Sequence, residues 1–207
     1  YEMTSRGETV IGELDGEISD RVVQLREVLS AAAPTSVSNN ITGVLWSKLA
    51  INCAITTLGA ITGETLGALL KRRVVRNLAL AIVSEVLDTA AAWEVALEPV
   101  AGTLDLTRLY VRPERRRRGW KLTQVPQHLL MCAIGFRFRH LRSSMLQSLE
   151  RGRIPEIDFL NGYVIARAQD KGIRVPINLA ITTMVHEIAA GERRIGPANA
   201  TELAASA

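Results

Sequence analysis

Lys48 and Asn52 stand four residues apart in Trp46-Ser-Lys-Leu-Ala-Ile-Asn-Cys53, on an otherwise apolar helical run. That spacing stacks an ammonium and an amide on one face of a helix, with Thr56 one turn further along the same stripe. Much later in the chain, Ser143-Ser-Met-Leu-Gln147 and Arg153-Ile-Pro-Glu-Ile-Asp-Phe-Leu-Asn-Gly162 offer hydroxyls and a carboxylate that can face the same wall. A cation, an amide and a hydroxyl suit a small polar anion. Ser144 at a helix start can add a backbone N–H and the helix dipole to the attraction for a carboxylate. Each residue also has a plainer reading. Lys48 can snorkel to solvent with Asn52 bonded to backbone, Glu156 can merely complement the dipole of its own helix, and Asp158 can be a solvated charge. A lysine shielded among apolar residues is costly without a partner, so the constellation predicts a protected ammonium.

The elements that would position these residues are mainly helical. Aromatics make up only 4% of the chain while Ala and Leu abound, a balance that suits packed helices. Ser19 is a candidate cap for a helix carrying Val22, Leu25 and Leu29, with Pro34 beyond its end. After a polar linker over 35–40, an apolar helix over about 41–60 is hydrophobic nearly all round and is expected at the centre of the fold. A long helix over about 72–95 follows, ended by Glu98-Pro99. Further helices are predicted over 125–138, 144–151, 156–170 and from Pro176 to Ala190, with Gly152, Gly172 and Gly191 as stops. Asn161-Gly162 falls inside one of them, which suggests a close approach to the backbone. Residues 102–119 show no period and read as a long connection, and the Ala-rich end as a frayed tail. The opening is different. Thr9-Val-Ile-Gly-Glu-Leu14 reads as a strand before the turn pair Asp15-Gly16, expected to pair with a sheet outside this chain, which would make the chain a fragment or a truncated relative.

Composition excludes several classes. The chain has 207 residues, 47% apolar and 22% charged, enough for one substantial core. Much of the net charge of +4 resides in Arg115-Arg-Arg-Arg118 with Lys121, which reads as a solvated insertion; no zinc-finger spacing or basic region accompanies it, so no nucleic-acid partner is expected. Cys53 and Cys132 have no metal-ligand spacing and read as buried thiols, and no metal site is expected. His128, His140 and His186 share no motif. The apolar run over 77–86 is too short for a bilayer and the N-terminus has no signal-peptide core, so a cytoplasmic protein with no membrane partner is expected.

The motifs occur in an order and spacing that resemble the C-terminal domain of the ketopantoate reductase family, the 2-dehydropantoate 2-reductases. They are Val10-Ile-Gly-Glu-Leu-Asp-Gly16, Trp46-Ser-Lys-Leu-Ala-Ile-Asn52, Ser143-Ser-Met-Leu-Gln147, Glu156-Ile-Asp158 with Asn161-Gly162, and Gly172-Ile-Arg-Val-Pro176. The resemblance implies a mainly α helical bundle like the 6-phosphogluconate dehydrogenase C-terminal-like domain. A strand or hairpin left from a Rossmann domain would occupy 1–18, the substrate-binding and dimerising helical domain 19–195, and a tail 196–207. It further implies a small 2-keto acid substrate, NADPH bound mainly by an N-terminal Rossmann domain, and a homodimer. By the same resemblance, Lys48 is the general acid, Asn52 and Thr56 contact substrate, Ser144 binds its carboxylate, and Glu156 contacts the cofactor ribose or a substrate hydroxyl while helping to keep Lys48 charged and oriented.

The departures are specific. No Gly-x-Gly-x-x-Gly follows a strand, so hydride chemistry is not expected of this chain alone. Thr56 replaces a second asparagine common in relatives, Ser148 an aspartate, and Pro155 a threonine, and the arginine insertion is longer than usual. The competing expectation is a catalytically silent dimerisation module built on the same helices.

Overall fold

The structure is a computed structural model that describes residues 8–99, 104–112 and 124–205. The chain divides into two compact units, Tyr1–Lys48 with Glu94–Leu106, and Leu49–Trp93 with Thr107–Ala207. It is mainly helical, with two short parallel strands among the described residues. The arginine run 115–118 and Lys121 lie outside those residues.

The first unit starts with β1 (Thr9–Ile11), passes through helix α1 (Asp20–Ser30) and returns in β2 (Thr35–Val37). The strands pair in parallel, Thr9 with Thr35 and Ile11 with Val37. Parallel neighbours need a crossover, and α1 is that crossover. The strand therefore finds one partner within the chain, in the segment expected to be a linker. β-branched Thr35 and Val37 favour the extended form, and Thr9 N–H to Pro34 O and Ser38 N–H to Ile11 O, both 2.8 Å, continue the ladder. β1 is shorter than expected because Gly12 presses its backbone against Ser38 O, where no side chain fits. Ser19 caps α1 as expected, accepting Val22 N–H at 3.3 Å. The Ser19 hydroxyl and Arg21 Nε also donate to Glu13 at 2.5 and 2.6 Å. These hydrogen bonds, that from Arg21 foremost, hold the Glu13 carboxyl down at about 2.

Helix α2 spans Ile41–Thr62. At its start, Asn40 Oδ1 accepts Gly43 N–H at 3.1 Å while Nδ2 donates to Ala96 O at 2.8 Å and Glu98 at 2.9 Å. By length and composition α2 could cross a membrane, yet more than half of its apolar stretch is buried within the protein, as in a core helix.

The second unit holds the C-terminal part of α2 and α3 (Leu66–Lys71), α4 (Arg73–Ala92), α5 (Val125–Arg137), α6 (Ser144–Glu150), α7 (Asn161–Asp170), α8 (Pro176–Ala189) and α9 (Ala198–Ala205). Its most enclosed element is α4, not the end of α2: Val75, Leu80, Ile82, Val86 and Ala90 are inaccessible to solvent. The hydroxyls of Ser84 and Thr89, buried on the same helix, satisfy themselves on Leu80 O and Glu85 O at 2.6 and 2.8 Å. The α3 turn escaped the sequence pattern because it is only six residues long.

Two further expectations change. The helix predicted over 156–170 is a 3₁₀ turn (Glu156–Phe159) and then α7, broken at Leu160 (φ −106°, ψ −95°). Asn161 consequently begins a helix instead of interrupting one, and at Gly162 a side chain would make only ordinary contacts, so the expected close approach is absent. The expected frayed tail contains α9, with Leu203 and Ala200 fully buried. Ile61 O near the end of α2 accepts both Gly196 N–H and Asn199 Nδ2, at 3.0 and 2.8 Å, so this segment caps α2. Arg193 reinforces it by bridging Glu187 on α8 and Glu202 on α9.

Candidate functional site

The site begins with α2, whose helical period brings Lys48, Asn52 and Thr56 into line at intervals of four residues. The structure corrects the expectation about Lys48: its side chain is exposed rather than shielded. The ammonium forms no hydrogen bond or ion pair with the described residues. Asn52 and Thr56 are half-buried. The Thr56 hydroxyl donates to Asn52 O at 2.6 Å, which fixes its rotamer and leaves its oxygen free to accept.

Thr56 and Ser144 are brought together. Both line a cleft of about 180 Å³ whose other walls include Ile55, Gly59, Leu66 and Leu141. The close fit depends on Gly59, where an added Cβ would lie 2.7 Å from Cβ of Ser143. Ser143 rather than Ser144 caps α6: its Oγ accepts Leu146 N–H at 3.1 Å and donates to Thr56 O at 2.6 Å. The neighbouring Ser144 side chain is thereby left exposed at the cleft. Ser143 was missed because two adjacent serines cannot be told apart by spacing; only the α2 contact assigns their roles.

Glu156 is not among the residues lining that cleft. It opens the 3₁₀ turn, exposed, while Asp158 two residues on bonds His186 Nε2 at 2.9 Å. Neither cysteine serves the site. Cys53 is buried and burial pushes its thiol well up, whereas Cys132 is exposed on α5, against expectation.

A connected set of buried polar groups lies behind α2, and sequence reasoning missed it. Glu85 accepts Ile177 N–H at 3.1 Å and Asn178 N–H at 3.0 Å at the start of α8, and the Asn178 amide at 2.7 Å. Asn178 Oδ1 accepts from Asn161 Nδ2 at 2.9 Å, and that nitrogen also donates to Cys53 O of α2 at 3.2 Å. The available signal was a carboxylate inside the longest buried run, at Glu85, which needs a fixed set of donors.

Lys48, Asn52 and Thr56 put an ammonium, an amide and a half-free hydroxyl on one face of α2, and of the three Thr56 also lines the mostly apolar cleft with Ser144; groups of these types suit a small organic anion. The family model described as ketopantoate reductase PanE/ApbA C terminal matches residues 40–189. The chain belongs to that family. It is 29% identical over 186 residues to the 2-dehydropantoate 2-reductase of Archaeoglobus fulgidus, covering 89% of this chain and 54% of the relative. Among solved structures it resembles the PanE/ApbA family ketopantoate reductase from Ralstonia eutropha JMP134, with a TM-score of 0.70 and 28% identity over 92% of this chain and 54% of that one. D-mandelate dehydrogenase in ternary complex with NADH and anilino(oxo)acetate shares the fold at a TM-score of 0.68 and 18% identity, over 89% of this chain and 53% of that one. This ketopantoate reductase family chain spans about half the length of the curated relatives it matches.

Proposed function

We propose that this chain is the substrate-binding and catalytic helical half of an NADPH-dependent 2-dehydropantoate 2-reductase, acting with a Rossmann domain. The observation that carries the reading is the row Lys48, Asn52 and Thr56 on α2, with Thr56 opening on a cleft shared with Ser144. Family membership supports the reaction class.

The residues present fit one edge of a nicotinamide nucleotide and no more. Exposed Glu156 can accept from a ribose hydroxyl, while the βαβ segment of the first unit has no Gly-x-Gly-x-x-Gly to cradle a pyrophosphate. When bound, NADPH supplies the hydride. Asn52 orients the keto acid, and Ser144 and Thr56 hold its polar groups at the mouth of the cleft. Lys48 donates a proton to the oxygen of the reduced carbonyl and offsets its developing charge, an effect that grows as water is excluded. Its exposure in this chain fits a site completed when substrate and a further domain cover the amine. The same reading makes the protein cytoplasmic and homodimeric, with no nucleic-acid or membrane partner.

The test joins the chain to a Rossmann domain of the family and follows ketopantoate-dependent oxidation of NADPH. Wild-type protein turns over, and Lys48→Ala lowers kcat by about 10³-fold, within the range for loss of a general acid. Because Lys48 is exposed, unfolding stability should change by no more than about 0.5 kcal/mol. Near-wild-type turnover in Lys48→Ala overturns the assignment of the acid. A stable dimer with no turnover in any combination favours the silent dimerisation module.

A further inference from the structure

We infer that Asn161 is a positioning residue, tying the turn of α2 that carries Asn52 and Thr56 to the chain segment that carries Glu156. The inference rests on the reductase reading for its kinetic consequence and on geometry alone for the tie.

Asn161 is fully buried. It begins α7 directly after the turn Glu156–Phe159 and Leu160, so it anchors the end of the segment whose first residue is Glu156. Its amide nitrogen donates across more than a hundred residues to Cys53 O, the carbonyl next to Asn52, and at the same time to Asn178 Oδ1. Cys53 O also takes the hydroxyl of Thr57, and the adjacent Asn52 O takes that of Thr56. The two threonine hydroxyls bond within α2 itself, so among these bonds Asn161 supplies the one that comes from another element. That bond restrains rotation and sliding of the turn bearing Asn52 and Thr56 against α7.

The orientation of Asn161 is imposed from behind. Glu85 engages the Asn178 amide nitrogen, which leaves Asn178 Oδ1 facing Asn161. Both groups that Asn161 meets are therefore acceptors, and only an amide nitrogen with two protons satisfies them together. Its own Oδ1 is buried without a partner among the described residues. Tolerating that idle acceptor is costly, and it makes sense if the two donations matter more. An aspartate of the same shape would set acceptor against acceptor at both contacts.

The experiment uses the chain joined to a Rossmann domain of the family, with Asn161→Asp, Asn161→Ser and, as a destabilised control remote from the α2 stripe, Leu203→Ala. Hydrogen exchange reads the amides of 52–58, and steady-state kinetics reads kcat/KM for ketopantoate. In Asn161→Ser, exchange over 52–58 should accelerate at least tenfold and kcat/KM should fall at least tenfold, with KM for NADPH within twofold. Leu203→Ala should lower the Tm while leaving kcat/KM within twofold. Asn161→Asp should be the more severe variant in both readings. Unchanged exchange over 52–58, or kcat/KM within twofold of wild type in folded Asn161→Ser, overturns the inference. So does failure of both Asn161 variants to fold, which would make the residue a folding requirement only. If wild-type protein shows no turnover, the reductase reading fails, and the exchange data still decide the tie.

Discussion

Two polar regions use similar residue types to opposite ends. The buried set running from Glu85 through Asn178 and Asn161 to Cys53 O is matched in its carboxylate and its amide nitrogens, with Asn161 Oδ1 left idle among the described residues, and Glu85 is only 3% exposed. The stripe of Lys48, Asn52 and Thr56 is more open, with an exposed ammonium and an amide that have no side-chain hydrogen bond among the described residues, although the Thr56 hydroxyl donates to Asn52 O. The difference follows from desolvation. A polar group inside the protein must be matched by the fold itself, whereas one at an accessible cleft remains matched by water until a ligand replaces it. Polar groups left to water on an accessible helix face are therefore the better mark of function, and a buried row whose donors are matched the better mark of architecture.

The comparison breaks most visibly at Glu85. Glu85→Gln removes the charge and turns one acceptor into a donor facing the N–H groups of Ile177 and Asn178, so urea unfolding should show a loss of about 3 kcal/mol, as for other disrupted buried ionic contacts. A loss below about 1 kcal/mol would mean that the buried row is not architectural. The next effect lies at the border between the two regions. Ser143→Ala deletes the α6 cap and the bond to Thr56 O, and should cost about 1–2 kcal/mol in the same measurement. Ser144→Ala, one residue further, should by contrast affect substrate affinity and not folding.

The smallest effect belongs to a satisfied carboxylate at the surface. Glu13 sits at about 2 against an ordinary 4.5, because Arg21 and Ser19 hydrogen-bond its ionised form. A carboxyl lowered by folding contributes stability that is complete above about pH 4.5 and is lost as pH falls towards 2. Chemical unfolding across that window should be less steep with pH in Glu13→Gln than in wild type. An identical slope would show that the exposed contacts do not persist in solution.

Local signals were legible wherever the physics is local. Ser19 before Asp20 marked a cap, Pro176 marked a helix start, and the interval of four marked Lys48, Asn52 and Thr56 as one face. Three-residue β2 carried too little pattern to be seen, so its pairing with β1 was not legible. The end of the chain looked frayed because its small residues gain stability through burial of Ala200 and Leu203, the bond to Ile61 O and the Arg193 bridge to Glu187, and most of these partners lie far away in sequence.

The sequence by itself determined which residue types could meet an organic anion, because helical periodicity converts spacing directly into a shared face. It also determined the family, through motifs in series. Tertiary structure alone decided that Ser143 is the cap and Ser144 the free hydroxyl, that Lys48 stands open to solvent, and that Asn161 reaches Cys53. Burial and hydrogen-bond partnership are properties of residues far apart in the chain, and they exist only once packing has brought those residues together.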